Sequence, residues 1–421
     1  MPAWARWVAV LVGALVVTAG TVVVAVRIWE AVADRAVATE QERLDPFYTA
    51  PALLPGPPGT LIRTEPLALS ITGGRALRML YVSERADGEP TVSGGMVFVP
   101  SAPAPTGGRP VVAWAHGTIG MGDACAPSRA SDPLLDTQGW LEQMLALGWV
   151  VTATDYAGLG TAGAQRYLVG QSEARDVVNS VRAVRTIPDA QPGDRFAVWG
   201  HSQGGHAALW TGQLSGELAA DLTLVGVAAA APAARLVDII GAQWRTLIAW
   251  VIGPEVAIGW PATDPSLRPA AILTRSGLRS YERVAADCIT SVDLKVDVGL
   301  RRLAGEQFFA VNPLAMPAWL AFATEQTPAP LTDVPVFIGQ GTADEVVLAW
   351  PNAALQEQWC AAGVDLTMLW LGGVGHMSAA NAAGPSAVAW IADRLAGRPA
   401  VRTCDLPPPV AQPGGGAGTR G

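Results

Sequence analysis

Segments typical of buried β-strands alternate with segments typical of helices along most of this chain, and that alternation restricts the fold more than any other feature. Apolar, strand-like runs occupy residues 110–115, 149–154, 195–199 and 222–230, and helix-like segments lie between them. Strands that alternate with helices in this way form βαβ units, whose strands lie parallel in one sheet. The sequence therefore predicts the α/β class, with a mostly parallel sheet flanked by helices.

Further strands precede this region, and the alternation resumes late in the chain. The other predicted strands are 66–72, 76–83, 91–100, 334–339 and 366–371, and the predicted helices are 133–147, 172–186, 206–214, 352–362 and 378–395. Residues 61–230 and 330–405 then form one core. Residues 231–329 interrupt it and predict a helical cap, inserted before the strand 334–339.

The cap is predicted to begin with one helix from about Arg235 to Ile252. Apolar side chains recur at helical spacing on one of its faces: Leu236, Ile240, Trp244, Leu247, Ile248 and Val251. We expect most of these side chains to pack the cap onto the core and a minority to line an apolar pocket.

Residues 1–35 predict a signal peptide or a membrane anchor. The run 8–26 is mostly apolar and uncharged, with Arg6 before it and Arg27 after it. This run is long for the apolar part of a signal peptide and just long enough to span a bilayer, so both interpretations stay open. In either case the rest of the chain is exported, to be secreted or held at the outer face of the cell membrane. Two other stretches flank the predicted core: a linker, 36–60, and a Pro/Gly-rich disordered tail, 406–421.

Charge and cysteine content exclude several functional classes. The net charge is −8 and no Lys/Arg-rich run is present, so we predict no nucleic-acid partner. The four cysteines contain no C-x-x-C pair, so we predict no metal site. In an exported protein an even number of cysteines favours two disulfides, and the sequence alone allows three pairings of Cys125, Cys288, Cys360 and Cys404. We expect a monomer.

The pentapeptide Gly200-His201-Ser202-Gln203-Gly204 fits the pattern G-x-S-x-G. It follows a predicted strand and opens a predicted helix, which is the strand–turn–helix context of a nucleophile elbow. The helix amino terminus directs N–H groups at a developing oxyanion. The pattern therefore predicts Ser202 as a nucleophile.

A serine hydroxyl needs a base, and the chain has four histidines. His201 lies inside the elbow and is expected to point away from Ser202, and His206 is expected to be a packed helix residue. His116 follows a strand early in the chain and is expected to brace its loop. His376 follows the last core strand in a glycine-rich loop, as the order Ser…Asp…His requires, and we predict it as the base.

The acid of such a triad follows the strand before the histidine strand. The segment Gly341-Thr342-Ala343-Asp344-Glu345 stands there, and we predict Asp344 as the residue that orients the imidazole. Glu345 is the alternative, and Asp365 fits less well because it begins a strand. For the oxyanion, Gln203 supplies one N–H as the residue after the nucleophile, and the loop after strand 110–115 supplies the other from Thr118 or Gly117.

These motifs together resemble the secretory lipase family, of the lipase A type. The resemblance covers roughly residues 45–405 and rests on Asp45-Pro46-Phe47-Tyr48, Pro57-Pro58-Gly59, Ala113–Thr118, Cys125-Ala126-Pro127-Ser128, Asp155–Gly160, the elbow, Gly341–Val347 and Gly375-His376. The resemblance implies an α/β-hydrolase fold and hydrolysis of lipid esters. It also implies a disulfide that begins at Cys125 and another near the carboxyl terminus, and we predict the pairs Cys125–Cys288 and Cys360–Cys404. Fungal members carry an acidic residue in the oxyanion loop, where this chain has Gly117-Thr118-Ile119.

The sequence thus predicts an exported serine hydrolase that cleaves small-molecule or lipid esters of carboxylic acids without a cofactor. Two other enzymatic hypotheses use the same triad: an acyltransferase, and an amidase or peptidase. A hypothesis of another class is a non-catalytic binding protein with the hydrolase fold.

Overall fold

The computed structural model describes residues 35–413 except 135, 136 and 138. The chain divides into two compact units, residues 1–47 and 48–421. The predicted signal peptide or anchor lies outside the described residues. In the part of the chain that is described, no helix is both long enough and apolar enough to cross a membrane.

Residues 35–48 form a helix, α1, so the predicted linker 36–60 is helical over its first half. This stretch is rich in Ala, Glu, Gln and Arg, which are good helix formers. Within it, the Arg43 guanidinium pairs with the Glu40 carboxylate one turn earlier at 2.6 Å.

Nine strands form one sheet in the order β1-β2-β3-β5-β4-β6-β7-β8-β9. The strands are β1 (Leu61–Pro66), β2 (Gly74–Glu84), β3 (Pro90–Pro100), β4 (Arg109–Ala115), β5 (Val150–Thr154), β6 (Pro192–His201), β7 (Thr223–Ala230), β8 (Val336–Gly341) and β9 (Leu366–Leu371). The pairs β1/β2, β2/β3 and β3/β5 are antiparallel, and all other neighbours are parallel. The predicted mostly parallel α/β fold is therefore confirmed.

Helices cover both faces of the sheet. Those outside the cap are α2 (Leu141–Ala146), α3 (Gly170–Ala183), α4 (Gln203–Leu218), α10 (Ala349–Ala361) and α11 (Ala379–Leu395). Buried side chains of α3, α4 and α10 form one hydrophobic core with the sheet, and those of α2 and α11 form a second core with it. Both faces of the parallel strands are thus removed from water, which explains their continuous apolar runs.

Two elements predicted outside the cap differ from the structure. The first strand is Leu61–Pro66, which pairs with β2, and not 66–72. The polar residues of this edge strand concealed it, because an edge strand needs less apolar character than a central one. The helix predicted at 133–147 covers only Leu141–Ala146, and Gly139 before it has φ of +89°, which a helix does not contain.

The residues between β7 and β8, all of them described, hold five helices where the cap was predicted. They are α5 (Leu236–Gln243), α6 (Ile248–Gly259), α7 (Arg275–Ala286), α8 (Val292–Leu303) and α9 (Pro317–Glu325). The prediction of a single helix over 235–252 is wrong, because the helical conformation is interrupted between α5 and α6. There the Thr246 hydroxyl donates to the Gln243 carbonyl and accepts the N–H of Ile248, so it ends one helix and begins the next.

Two disulfides tie peripheral segments to these layers. Cys125 is bonded to Cys288, which joins the loop after β4 to the cap after α7. Cys360 of α10 is bonded to Cys404, which holds the carboxyl-terminal segment beside the last strand. These are the two predicted pairs. Of the predicted tail, residues 406–413 contain no helix or strand, and residues 414–421 lie outside the described residues.

The turn from β6 into α4 allows no side chain at its glycines. A Cβ on Gly204 would lie 1.9 Å from the carbonyl oxygen of Ala115 in β4, and a Cβ on Gly200 would lie 2.1 Å from the carbonyl oxygen of Gly204. Both contacts are with backbone, which cannot rotate away. Gly216, in the last turns of the same helix, has nothing within 4 Å of such a Cβ.

This difference predicts opposite effects of the same substitution within one helix. Gly204→Ala should lower the free energy of unfolding by about 3 kcal/mol, because the strand and helix backbones must separate. Gly216→Ala should raise it by about 0.5–1 kcal/mol, because alanine favours the helix. Urea unfolding followed by circular dichroism measures both values. Equal destabilisation by the two substitutions would contradict this description of the turn.

Candidate active site

Ser202 stands at the turn between β6 and α4, where its backbone has φ of 56° and ψ of −117°. A non-glycine residue rarely has positive φ, and this conformation is the strained one that a nucleophile elbow requires. The Ser202 N–H donates to the carbonyl of Ala230 at the end of β7 at 2.9 Å, which fixes the turn against the sheet.

His376 lies in the loop that follows β9, and the structure brings it to Ser202. Its Nε2 is 2.9 Å from the Ser202 Oγ. Both side chains are buried, with 4% and 6% of their residue surface exposed. The two residues are far apart in the sequence and meet because β6 and β9 both end at the carboxyl edge of the parallel sheet, where sites in such folds are found.

Asp344 follows β8 and lies on the other side of the imidazole. Its Oδ2 is 2.9 Å from the His376 Nδ1. Its Oδ1 accepts the N–H groups of Val346 and Val347 at 3.0 and 2.9 Å, and the Gln340 side chain donates to Oδ2 at 3.3 Å. These donors fix the carboxylate, so that the imidazole has Nδ1–H toward Asp344 and leaves Nε2 for the serine proton.

The two alternative acids occupy other positions. Glu345 is exposed, and its carboxylate accepts the backbone N–H of His376 at 3.3 Å, so it contacts the main chain of the histidine loop. Asp365 precedes β9, at the amino-terminal end of that strand. It therefore lies at the opposite edge of the sheet from Ser202.

His201 contacts His376. The ring centroids are 4.8 Å apart, and the His201 Nε2 lies 3.1 Å from the carbonyl oxygen of His376. Burial, and then the nearby His376, lower the pKa of His201 to about 3, so its ring is neutral near pH 7 and donates from Nε2 to that carbonyl. His201 was expected to point away from Ser202, and its contacts add a role, because it supports the loop that carries His376.

His116 is buried directly after β4. Its Nδ1 donates to the Gly117 carbonyl at 2.7 Å, and its Nε2 lies 3.3 Å from the carbonyl oxygen of Asp155. It therefore connects the loops after β4 and β5, in agreement with a bracing residue.

The predicted oxyanion residues lie close to Ser202. Gln203 begins α4, so its N–H has no carbonyl partner within the helix. A Cβ on Gly117 would lie 3.4 Å from the Ser202 Cβ, so the loop after β4 touches the elbow. Thr118 and Ser202 line the same cleft, and the Thr118 hydroxyl is 2.7 Å from the Tyr167 hydroxyl.

A buried polar group behind the elbow was missed in the sequence. The Glu173 carboxylate of α3 accepts from the Gln203 side chain at 2.8 Å and lies 3.0 Å from His206 Nδ1. His206 Nε2 lies 2.7 Å from the Gln326 carbonyl at the end of the cap. Both ring nitrogens of His206 therefore face oxygen atoms, one of Glu173 and one of Gln326. No sequence motif identifies Glu173, which is distant from the elbow along the chain.

An apolar cleft, partly open to solvent, runs from Ser202 into the cap. Of the predicted apolar face, Leu236, Ile240, Trp244 and Ile248 line it. Leu247 and Val251 are not among its lining residues, because the break between α5 and α6 turns them elsewhere. Within the described residues, no three His, Cys, Asp or Glu side chains are grouped as a metal site requires.

Comparison with known proteins shows which family this chain resembles. The model of the secretory lipase family matches residues 136–403. A Mycobacterium tuberculosis protein named as a probable inactive lipase is 26% identical, over 84% of this chain and 82% of its own. Lipase 9 of Candida albicans is 26% identical, over 86% of this chain and 84% of its own.

Among solved structures, Candida antarctica lipase A in its closed state is similar, with a TM-score of 0.70 and 18% identity. The similarity covers 87% of this chain and 89% of that structure, and it establishes the same fold. The family model matches well over half of the sequence, and the chain therefore belongs to the secretory lipase family.

Proposed function

We propose that this chain is an exported hydrolase of carboxylic esters with Ser202 as nucleophile, His376 as base and Asp344 as the orienting acid. The observation that carries the proposal is the continuous series of hydrogen bonds from Ser202 Oγ through His376 to Asp344, each 2.9 Å long. A nucleophile within reach of a base that a third group orients is the recognised arrangement for acyl transfer.

The reaction follows from these contacts. Ser202 Oγ attacks the ester carbonyl while its proton passes to His376 Nε2, and the imidazolium is stabilised by Asp344. Collapse of the tetrahedral intermediate breaks the bond to the alcohol, which takes the proton from His376. Water then gives a proton to His376 and attacks the acyl-enzyme, which releases the acid and restores Ser202.

The developing oxyanion requires preorganised donors. We assign one to the N–H of Gln203 and the other to the N–H of Thr118 or Gly117. The hydrogen bond between the Thr118 and Tyr167 hydroxyls supports this role, because it anchors the loop beside the elbow. Burial, and then Glu255, raise the pKa of Tyr167, so the phenol keeps its proton and can serve in that hydrogen bond.

The cleft indicates the substrate. Ile239, Ile240 and Trp244 line it beside other apolar cap residues, so it offers an acyl chain a surface that excludes water. The Candida albicans relative is named a lipase, which agrees with a lipid ester. The two disulfides and the family support export.

Three other functions are separated by direct measurements. An acyltransferase would form a new ester when an alcohol is added, and an amidase or peptidase would turn over peptide amides. A non-catalytic protein would fail to react with a fluorophosphonate at Ser202. The last case is relevant because one relative is named as probably inactive, whereas in this chain Ser202, His376 and Asp344 are within hydrogen-bonding distance.

The assignment of the acid predicts unequal effects of two adjacent substitutions. Asp344→Asn should lower kcat about 10⁴-fold, because the amide favours the wrong His376 tautomer. Glu345→Gln is the matched control, because the Glu345 carboxylate contacts the backbone N–H of His376 and not its imidazole. This variant should lower kcat less than tenfold. Hydrolysis of p-nitrophenyl butyrate measures both, and the reverse order would transfer the role to Glu345.

The cleft predicts a dependence on acyl-chain length. Since a buried CH₂ contributes about 0.8 kcal/mol, kcat/KM on p-nitrophenyl esters should rise several-fold for each added methylene until the cleft is full. Matched anilides should be cleaved far more slowly.

Two substitutions on α6 test whether the cleft causes this preference. Ile248→Asp, in the cleft wall, should depress decanoate turnover at least tenfold relative to butyrate. Val251→Asp, on the same helix but outside the lining, should leave that ratio unchanged. A wild-type preference for acetate, or equal changes of the ratio in both variants, would contradict an acyl site here.

A further inference from the structure

Helix α8 of the cap turns an apolar face toward solvent. Val292, Val296, Leu300 and Leu303 are 65%, 54%, 60% and 85% exposed. Their spacing of four, four and three residues puts them on one side of the helix. Leu294 is the buried residue of the same helix and marks the opposite, inward side. These four exposed residues form an apolar ridge.

The ridge differs from the rest of the described surface. Val37 of α1, Leu278 of α7 and Leu320 of α9 are single exposed apolar residues on their helices, and no other described helix exposes more than one large apolar side chain. Single exposed apolar residues are ordinary, whereas a contiguous group indicates a contact surface.

The ridge is held in place. The Ser291 side chain caps α8 by accepting the N–H of Leu294 at 3.1 Å, and the disulfide at Cys288 anchors the chain just before it. At the other end, the Arg301 guanidinium lies 3.9 Å from the centre of the Trp250 ring and donates to Asp297 at 2.8 Å. The apolar face is therefore already formed before any partner binds.

The same contacts connect the ridge to the cleft. Trp250 belongs to α6, whose Ile248 and Ile252 line the cleft. Val298, on the inward side of α8, packs against the apolar cluster that contains Trp250. Helix α8 thus packs against an element of the cleft wall while its ridge faces water.

Charge identifies the kind of partner. The whole chain has 28 Lys and Arg against 36 Asp and Glu, yet α7 and α8 with the loop between them, residues 275–303, carry six basic and four acidic side chains. On α8, Lys295 and Arg302 are both exposed and lie seven residues apart along one edge of the ridge. Long basic side chains beside an apolar face suit a surface of acyl chains beneath anionic headgroups.

We propose that the apolar ridge of α8 docks this protein on an anionic lipid–water interface, which brings the cleft to lipid esters. The proposed ester hydrolysis explains what the docking is for, but the docking itself can be tested without measuring turnover. A second copy of the chain would bury the same face, but it would have to accommodate the basic edge.

The first experiment measures contact with the lipid at single positions of the full chain, so that binding of another part of the chain to the lipid does not mask it. Leu303 and Leu53 are almost equally exposed, at 85% and 86%, and Leu53 lies outside the cap. The native cysteines are all in disulfides, so a fluorophore attaches to the thiol of Leu303→Cys or Leu53→Cys alone. With vesicles of 70% phosphatidylcholine and 30% phosphatidylglycerol, a nitroxide on the acyl chains should quench the probe at 303 at least fivefold more than the probe at 53.

The second experiment measures ester hydrolysis by variants at the same two positions. Leu303→Asp should reduce hydrolysis of a triacylglycerol presented in those vesicles at least tenfold and leave soluble p-nitrophenyl butyrate within twofold of wild type. Leu53→Asp should change neither rate. Lys295→Gln should reduce the increase in triacylglycerol hydrolysis that phosphatidylglycerol causes. It should leave the rate in vesicles of pure phosphatidylcholine unchanged.

Separate results would overturn the two claims. Equal quenching at 303 and 53, or a dimer in solution that Leu303→Asp dissociates, would reject lipid docking by the ridge. Strong quenching at 303 in a protein without any esterase activity would keep the docking and reject the proposed hydrolysis.

Discussion

The structure depends on how closely the backbone of the turn between β6 and α4 approaches the neighbouring strand β4. At Gly204 a single added carbon would lie 1.9 Å from the carbonyl oxygen of Ala115, so strand and helix meet with no side chain between them. At this turn Ser202 has a positive φ of 56°, the strained backbone that a nucleophile elbow requires. The strain at Ser202 is maintained because the sheet holds both sides of the turn.

The cap is joined to the site by polar contacts as well as by apolar packing. The Gln243 side chain of α5 donates to the carbonyls of Glu345 and Val346 at 2.8 and 2.9 Å, on the loop that carries Asp344. At the other end of the cap, Gln326 accepts from His206 behind the elbow. The cap therefore supports both the cleft and the loop that carries Asp344, and disturbance of the cap is expected to reach that loop.

The sequence was informative where one local pattern determines the structure. Glycine spacing around Ser202 predicted the elbow, and apolar runs predicted the central strands, because a strand buried on both faces must be apolar. The edge strand Leu61–Pro66 and the break at Thr246 were missed, since the first needs little apolar character and the second depends on one hydroxyl. The group of Glu173 and His206 was missed because its members meet only after α3 packs on α4.

The central claim is covalent catalysis at Ser202, and it is the step to test because one relative is named as a probable inactive lipase. The most direct measurement is mass spectrometry of the protein quenched in acid within milliseconds of mixing with p-nitrophenyl decanoate. We predict a decanoyl group on the peptide that contains Ser202, formed during the burst of nitrophenol and absent from Ser202→Ala. Ester turnover without this adduct in a burst-competent enzyme, or turnover retained by Ser202→Ala, would contradict the account.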